Sequence, residues 1–310
     1  MVQTFRYLVT TARPRQWLKN ASLFTGLIFT GWLFLPEKFW TVVWAAVLFS
    51  FLTSAVYIIN DIIDAPSDRL HPLKKMRPIA AGKLPVPIAL FVAILLASFG
   101  LFFAVNLSFF FFFLSLSYLA LHLLYSLYLK RVAIIDVLAI ASGFILRVYA
   151  GAVAIDAHIN VWLLLCVVSF SLFLAIGKRR SERTLLEAKG VDQTRKVLTH
   201  YPENLLNIYT SMFANTTWLT YTLFTFLQPS IIPEGKLLTL MSVVPRAFVN
   251  QKLLMVTVPV VIYGVMRYLQ LIYEKGEGES PEKVLLSDKP LLTAVFLWGI
   301  LVVGVIYGIG

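Results

Sequence analysis

Residues Asn60–Gly82 read N-D-I-I-D-A-P-S-D-R-L-H-P-L-K-K-M-R-P-I-A-A-G, and the remainder of the chain is best understood from this segment. The segment follows an uncharged apolar run over residues 39–59 and combines three carboxylates with four basic side chains. Asp61, Asp64 and Asp68 are spaced i, i+3, i+7, which places them along one face of a helix. Such a concentration of charge directly after an apolar helix indicates a binding site.

The chemistry of this segment favours a metal and phosphates. Hard carboxylate oxygens suit Mg²⁺, which commonly binds one or two carboxylates together with substrate phosphates. Lys74, Lys75 and Arg77 follow closely and are suited to holding those phosphates. Pro66 predicts that the regular helix ends there, with Asp68 on a turn. The alternative interpretation is a solvated loop between two membrane helices.

The composition of the chain indicates a membrane protein. Of 310 residues, 59% are hydrophobic and only 14% are charged, and the mean hydropathy is +0.80. Apolar runs of roughly 20 residues recur, which is the length that spans a bilayer core. These runs are continuous, whereas a transmembrane barrel needs short alternating strands. We therefore predict an all-α polytopic membrane protein with a single transmembrane domain over residues 1–310.

The apolar runs predict nine transmembrane helices. Their approximate bounds are 20–35, 39–60, 86–104, 107–129, 133–153, 160–177, 204–228, 252–273 and 290–309. The first run is short for a complete crossing.

The distribution of basic residues predicts the orientation. With the N-terminus inside, 21 of the 27 Lys and Arg residues lie in inside segments and four lie outside. The positive-inside rule then gives a multi-pass protein of the cell membrane with a cytoplasmic N-terminus and an external C-terminus. The net charge of +11 is explained by these loops and by anionic head groups or substrates, so no nucleic-acid partner is expected. Every cluster of candidate polar groups faces the cytoplasm.

Two further basic clusters lie at predicted span ends. Residues 13–20 read R-P-R-Q-W-L-K-N, in which Lys19 is nearest the membrane and best placed to reach a phosphate. The sixth span ends in G-K-R-R-S-E, where Lys178 and Arg179 are phosphate candidates and Glu182 is a candidate ligand for a metal or a sugar hydroxyl. Ordinary anchoring of a helix end at the membrane interface remains the alternative for both clusters.

The fifth predicted span carries charge within the membrane. Lys130 precedes it, and Asp136 and Arg147 lie 11 residues apart on one helical face. A buried arginine is costly in a membrane helix unless it faces protein or a wet cavity. Arg147 is therefore either an anion-binding residue or a structural residue that hydrogen-bonds to backbone, and the sequence favours neither.

Other types of site find no support. The single cysteine, Cys166, excludes an internal disulfide, and the four histidines are scattered, so no zinc site is predicted. The sequence contains neither a G-x-x-x-x-G-K-[ST] phosphate loop nor a G-x-S-x-G nucleophile turn.

The N-D-x-x-D-x-x-x-D pattern at Asn60, Asp61, Asp64 and Asp68, placed at the end of the second span, resembles the UbiA superfamily of membrane prenyltransferases. This resemblance extends over essentially the whole chain. It implies a UbiA-type helical bundle with an active site on the cytoplasmic side and a polyprenyl substrate within the bilayer. It also implies that these four residues hold Mg²⁺ on a diphosphate, with Asp61 and Asp64 as catalytic residues.

The sequence departs from the aromatic prenyltransferases of the superfamily at Gly177–Glu182. Those enzymes carry a second aspartate-rich motif there, whereas this chain has G-K-R-R-S-E. Four other segments are similar to the phosphoribosyltransferase branch of the superfamily. They read H-P-L-K-K-M-R-P-I-A-A-G, Y-S-L-Y-L-K, S-G-F-I-L-R-V-Y-A-G and S-P-E-K-V-L-L-S-D-K-P-L.

The resemblance to that branch implies an Mg-dependent pentosyltransferase. Such an enzyme moves 5-phosphoribose from phosphoribosyl diphosphate (PRPP) to a polyprenyl (decaprenyl-like) phosphate, releases diphosphate and supplies a precursor of cell-wall arabinan. The expected substrate-binding residues are Lys19, Lys74, Arg77, Tyr125, Lys130, Asp136, Arg147, Lys178, Arg179 and Glu182.

Two alternatives remain open. One is prenyl transfer from a prenyl diphosphate to an aromatic or small acceptor. The other is a transporter, against which the one-sided clustering of charge argues. A homo-oligomeric state is also left open.

Overall fold

The computed structural model describes residues 2–70, 74–188, 196–228, 252–275 and 281–308, and every regular element in these ranges is helical. The α-helices in chain order are α1 (Val2–Ala12), α2 (Phe24–Phe29), α3 (Pro36–Asp68), α4 (Val86–Leu107), α5 (Phe109–Leu127), α6 (Ile135–Ile155), α7 (Val161–Ala188), α8 (Glu203–Leu227), α9 (Val258–Lys275), α10 (Pro281–Ser287) and α11 (Lys289–Gly308). Segments of 3₁₀-helix cover Pro14–Leu23, Lys74–Met76, Leu129–Arg131, Lys196–His200 and Leu253–Thr257.

Helix α3 carries the acidic motif and is longer than the sequence predicts. It begins with Pro36, which fits the first turn because its missing N–H has no partner there in any case. The prediction that the helix ends at Pro66 is wrong, because α3 continues through Pro66 to Asp68. A proline this close to a helix end removes only one backbone hydrogen bond, and Arg69 still donates to the carbonyl of Ala65 at 3.2 Å.

Seven of the described helices are long and apolar enough to cross a membrane. They are Pro36–Asp68, Val86–Leu107, Phe109–Leu127, Ile135–Ile155, Val161–Thr184, Leu253–Glu274 and Lys289–Gly308. Seven of the nine predicted spans correspond to them. The other two, at 20–35 and 204–228, take different forms.

The predicted span at 204–228 is a continuous helix, α8, of 25 residues. It is less apolar than the other seven because it contains six threonines and three asparagines. Several of the threonine hydroxyls donate to the carbonyl four residues earlier, as Thr210, Thr217 and Thr220 do at 2.6–2.7 Å. These groups therefore satisfy their hydrogen bonds within the helix itself.

The predicted span at 20–35 is not a single α-helix. It is built from the 3₁₀ segment Pro14–Leu23 and the six-residue helix α2. A 3₁₀ run of 10 residues is unusual, since most end after three or four. Glycine permits the close packing of this segment on α6, because a Cβ on Gly151 would lie 1.9 Å from the carbonyl oxygen of Leu23.

The chain forms two compact units. The first comprises Met1–His158 and Leu186–Pro202, and the second comprises Ile159–Leu185 and Glu203–Gly310. The core of the first unit centres on Phe49, Phe111 and Tyr118, whose rings meet at centroid distances of 5.3 and 5.7 Å. A single transmembrane domain over 1–310 stays a prediction.

Candidate active site

The acidic residues of α3 lie on one face near the end of that helix, as their spacing predicts. Asp61 and Asp68 are buried and Asp64 is half-buried. Burial removes most of the water from Asp61 and Asp68 and part of it from Asp64, so these carboxylates require partners that offset the lost hydration.

Three basic side chains provide these partners. Arg13, which directly precedes the 3₁₀ segment, lies 2.5 Å from Asp61. Arg77 contacts both Asp61 at 3.2 Å and Asp68 at 2.6 Å. Lys130 pairs with Asp64. The acidic cluster, defined here as Asp61, Asp64 and Asp68, is thus matched by three positive charges drawn from three separate parts of the chain.

An amide and a hydroxyl complete the same arrangement. The Asn60 amide donates to Asp64 Oδ2 at 3.0 Å, and its carbonyl oxygen accepts a hydrogen bond from Ser126 on α5, also at 3.0 Å. Asn60 therefore orients Asp64 and connects α3 to α5. Sequence reasoning missed Ser126, since a serine beside the predicted Tyr125 carries no distinguishing signal.

Arg13 is the other residue that sequence reasoning missed. The sequence indicates only that Arg13 belongs to a basic interface segment, in which Lys19 is nearest the membrane. Its backbone is left-handed, with φ of 52°, and its guanidinium stacks 4.9 Å from the ring centroid of Tyr57. The Arg-Pro pair at 13–14 gives no sign of this conformation, because proline favours extended backbone in the residue before it.

Lys130 lies in the short junction before α6, and one residue of this junction has an unusual backbone conformation. Ile134 has φ of 71°, which is an outlier for a β-branched residue. Its N–H donates to the hydroxyl of Tyr201 at 2.6 Å, and that hydroxyl donates to the buried carboxylate of Asp136, also at 2.6 Å. Asp136 thus bonds to protein here, and Tyr201 is a supporting residue that the sequence did not indicate.

Arg147 lies deeper in the first unit and is 3% exposed. Its guanidinium donates to Asn20 Oδ1 at 3.0 Å, to the carbonyl oxygen of Gly143 at 2.9 Å and to the Tyr118 hydroxyl at 2.7 Å. These contacts fit the structural alternative for Arg147, and they also hold the guanidinium in a fixed place.

The remaining predicted binders of the first unit are half-buried. Lys19 lies on the 3₁₀ segment Pro14–Leu23, Lys74 begins the segment Lys74–Met76, and Tyr125 lies on α5 next to Ser126. Each of these three residues has interactions with its surroundings.

The predicted residues of the second unit lie on α7. Arg179 is completely buried and donates to Glu182 Oε2 at 2.9 Å, and Lys178 is half-buried. The neighbouring Arg180 donates to Asn207 at 2.9 Å and stacks 3.8 Å from the ring centroid of Tyr273. Two of the three bases in G-K-R-R-S-E are therefore held inside this unit and are not solvated anchors.

The donor chemistry of the acidic cluster fits a hard divalent cation, because it offers carboxylate oxygens. Across the described ranges, however, no three His, Cys, Asp or Glu side chains converge closely enough to hold a metal ion. The physical reason lies in the ion pairs, since each carboxylate is directed at its own basic partner. A divalent cation bound here would neutralise the negative charge of the carboxylates, which Arg13, Arg77 and Lys130 neutralise in this structure.

Comparison with known proteins shows the family of the chain. The model of the UbiA prenyltransferase family matches residues 21–300. The chain therefore belongs to the UbiA prenyltransferase family and is a multi-pass membrane protein of the transferase class.

Among named proteins, the chain is similar to decaprenyl-phosphate phosphoribosyltransferases. The protein of that name from Corynebacterium glutamicum is 32% identical over 304 residues, covering 97% of this chain and 86% of the relative. The one from Mycolicibacterium smegmatis is 31% identical over 299 residues, covering 94% of this chain and 89% of the relative. The predicted resemblance to this branch is confirmed.

A solved structure shares the fold. The UbiA homologue from Archaeoglobus fulgidus bound to GPP and Mg²⁺ matches with a TM-score of 0.66 and 19% identity. The match covers 97% of this chain and 96% of that one.

Proposed function

We propose that this protein transfers 5-phosphoribose from PRPP to a polyprenyl phosphate of decaprenyl type and releases diphosphate. The observation that carries the proposal is the similarity, over nearly the whole chain, to two proteins named for this class of reaction. The product would serve as a precursor of cell-wall arabinan. The active site would lie on the cytoplasmic side, where the soluble donor is available.

The charges of the site agree with these substrates. The donor carries a diphosphate and a 5-phosphate, and the acceptor adds a third phosphate. In the first unit, basic residues from three parts of the chain pair with the acidic cluster. In the second unit, considered by itself, α7 carries three more bases, Lys178, Arg179 and Arg180. Arg and Lys are the side chains that hold phosphate oxygens.

Asp61, Asp64 and Asp68, with Asn60 orienting Asp64, are the residues that would hold Mg²⁺. When bound, Mg²⁺ would neutralise charge on the donor diphosphate. Arg13, Arg77 and Lys130, now paired with these carboxylates, would then be available to phosphate oxygens. In the second unit, Lys178 and Arg179 stay predicted phosphate binders, and Glu182 holds Arg179.

The chemical step requires little acid–base catalysis. The bond between the ribose C1 and the diphosphate oxygen breaks, and diphosphate leaves with the electron pair. A lipid phosphate oxygen forms the new bond to C1. The nucleophile is already an anion, so no general base has to remove a proton. The contribution of the protein is positioning and electrostatic stabilisation of the departing diphosphate.

The deciding experiment supplies ribose-labelled PRPP, polyprenyl phosphate and Mg²⁺ to membranes that contain the protein. We expect label in an organic-extractable lipid, with none when Mg²⁺ is chelated and recovery when it is restored. Membranes without the protein are the control. The absence of lipid label in the complete mixture would refute the proposal.

Prenyl transfer is the second candidate, favoured by the family and by a fold neighbour that was solved with GPP and Mg²⁺. The same membranes are therefore given a labelled prenyl diphosphate and a phenolic acid. Label appearing in the prenylated acid, and not in a lipid phosphoribose, would favour this candidate.

A further inference from the structure

We infer that α1 lies in the plane of the membrane interface, with Phe5 and Val9 inserted between lipids and the neighbouring basic side chains on anionic head groups. The leaflet concerned is the one beside the acidic cluster. The partner of this surface is thus an anionic lipid surface, and the contact is independent of the reaction that the protein catalyses.

The inner face of α1 packs on the first unit. Tyr7 and Leu8 pack against an apolar cluster that contains Ile58 of α3, and Thr11 is buried. These three residues are spaced i, i+1, i+4, so they lie on one side of the helix. Contacts within the protein therefore account for only this side of α1.

The outer side of α1 is divided into two stripes of opposite character. Phe5 and Val9 are four residues apart and form an apolar stripe, in which they are 69% and 41% exposed. Arg6 and Thr10, also four residues apart and exposed, form a polar stripe about 100° further round the helix. Amphipathic helices at the boundary between lipid and water have this pattern, because each stripe meets one of the two phases.

The position of α1 corresponds to the level of a membrane interface. The cluster that receives its inner face contains Ile58 and Ala65 on α3 and Ala89 on α4. Ile58 lies at the end of the uncharged apolar run over residues 39–59, and the carboxylates follow it. Ala89 lies in the first turn of α4, which is long and apolar enough to span a membrane. At this level the two helices therefore leave the hydrocarbon core, and the apolar stripe of α1 can reach lipid there.

The charge around α1 fits an anionic leaflet. Residues 1–36 contain four basic side chains and no acidic one. Arg13 belongs to the candidate active site, whereas Arg6 and Arg15 are exposed. Basic side chains beside a membrane attract anionic head groups, and Trp17, which is also exposed, is of the type enriched at interfaces. A second copy of this surface fits less well, because a symmetric contact would bring the basic side chains of two chains together.

The main test measures which stripe of α1 meets lipid. In the Cys166→Ala protein, a single cysteine is introduced by Val9→Cys or, as the matched control, by Thr10→Cys, and each is labelled with bimane. The two residues are neighbours, so the labels share a position along the helix and differ in the stripe that they occupy. In nanodiscs with bromine on the acyl chains, we expect the bimane at position 9 to emit at shorter wavelength and to lose most of its fluorescence. The bimane at position 10 should keep most of its fluorescence.

The head group is identified by brominating one lipid at a time. At equal mole fractions in the same nanodiscs, we expect brominated phosphatidylglycerol to quench the bimane at position 9 about twofold or more strongly than brominated phosphatidylcholine. The double variant Arg6→Gln, Arg15→Gln should remove this difference, while quenching by the two lipids together persists. Equal quenching by the two lipids with both arginines in place would overturn the assignment of an anionic partner.

Equal, weak quenching at positions 9 and 10 would overturn the membrane contact itself. Disulfide cross-linking of Val9→Cys between two chains, together with protection from brominated lipid, would assign the apolar stripe to a second copy and overturn it equally. If the first pair of variants does not fold, Phe5→Cys and the exposed control Gln3→Cys repeat the comparison one turn earlier. The test uses neither PRPP nor polyprenyl phosphate, so a failure of the proposed function would leave its result unchanged.

Discussion

Arg13 belongs to the candidate active site, although the residues next to it in the sequence give no sign of this role. Its left-handed backbone, with φ of 52°, costs about 1–3 kcal/mol, so the surroundings must hold it in place. The ion pair with Asp61 and the ring of Tyr57 do so. Asp61 lies 48 residues further along the chain, and no local pattern reports a pairing at that separation.

At the same scale, Asp61→Asn tests the acidic cluster. The substitution keeps the size of the side chain and leaves Arg13 and Arg77 facing a neutral amide. We expect turnover with PRPP and polyprenyl phosphate to fall on the order of 10²-fold or more, as when a group that stabilises transition-state charge is removed. The measurement is the initial rate of lipid labelling in purified protein.

Asp156→Asn is a matched control for that variant. Asp156 is exposed, and its φ of 57° is left-handed, which asparagine adopts readily. Its rate should stay within about twofold of wild type, as is usual for surface substitutions. Near-normal turnover of Asp61→Asn would remove Asp61 from the catalytic assignment.

At the scale of elements, Tyr201 positions the start of α6. Tyr201→Phe removes the hydroxyl that joins the Ile134 N–H to the Asp136 carboxylate. The junction that carries Lys130 then loses its support, and we expect kcat to fall about tenfold because small misplacements are costly in catalysis. The kinetics are measured alongside the melting temperature.

Tyr149→Phe, an exposed tyrosine on α6, is the control and should match wild type. A positioning role predicts a kcat loss in Tyr201→Phe that is larger than any loss of stability explains. If kcat stays at the wild-type value while Tyr201→Phe remains folded, this role for Tyr201 is wrong.

The contact between α6 and the 3₁₀ segment depends on Gly151. Gly151→Ala would place a Cβ 1.9 Å from the carbonyl oxygen of Leu23, so the two elements have to separate. We expect a loss of stability of about 1–3 kcal/mol or more, as in other overpacked cores. The melting temperature in detergent measures it, and Gly299→Ala, with open space around the added Cβ, should leave it unchanged. Equal melting of the two variants would contradict this packing.

At the scale of the whole molecule, the distribution of charge predicts the orientation in the membrane. In a variant whose only cysteine, Cys166, is replaced by alanine, single cysteines are introduced by Lys75→Cys and Glu37→Cys, both at exposed positions. We expect an impermeant maleimide to label Glu37→Cys in intact cells and to label Lys75→Cys only after permeabilisation. The reverse pattern would contradict a cytoplasmic acidic cluster.

The sequence allowed most of the fold to be predicted and part of the site. The apolar runs predict the seven helices of the described ranges that are long and apolar enough to cross a membrane. The spacing of Asp61, Asp64 and Asp68 predicts that they share one helical face. Both predictions rest on local periodicities. The ion pairs of Arg13 and Lys130, and the support that Tyr201 gives to Ile134, join distant parts of the chain. Tertiary contacts of this kind leave no periodic signal.

The 3₁₀ segment Pro14–Leu23 is longer along its axis than an α-helix with the same number of residues. Its 10 residues rise about 20 Å, against about 15 Å in α-helical form. The six residues of α2 add about 9 Å, so the two pieces together measure about 29 Å along their axes. The hydrocarbon core of a bilayer is about 30 Å thick. Stretching the backbone thus gives this part of the chain the reach of a full span with fewer residues than an α-helix requires.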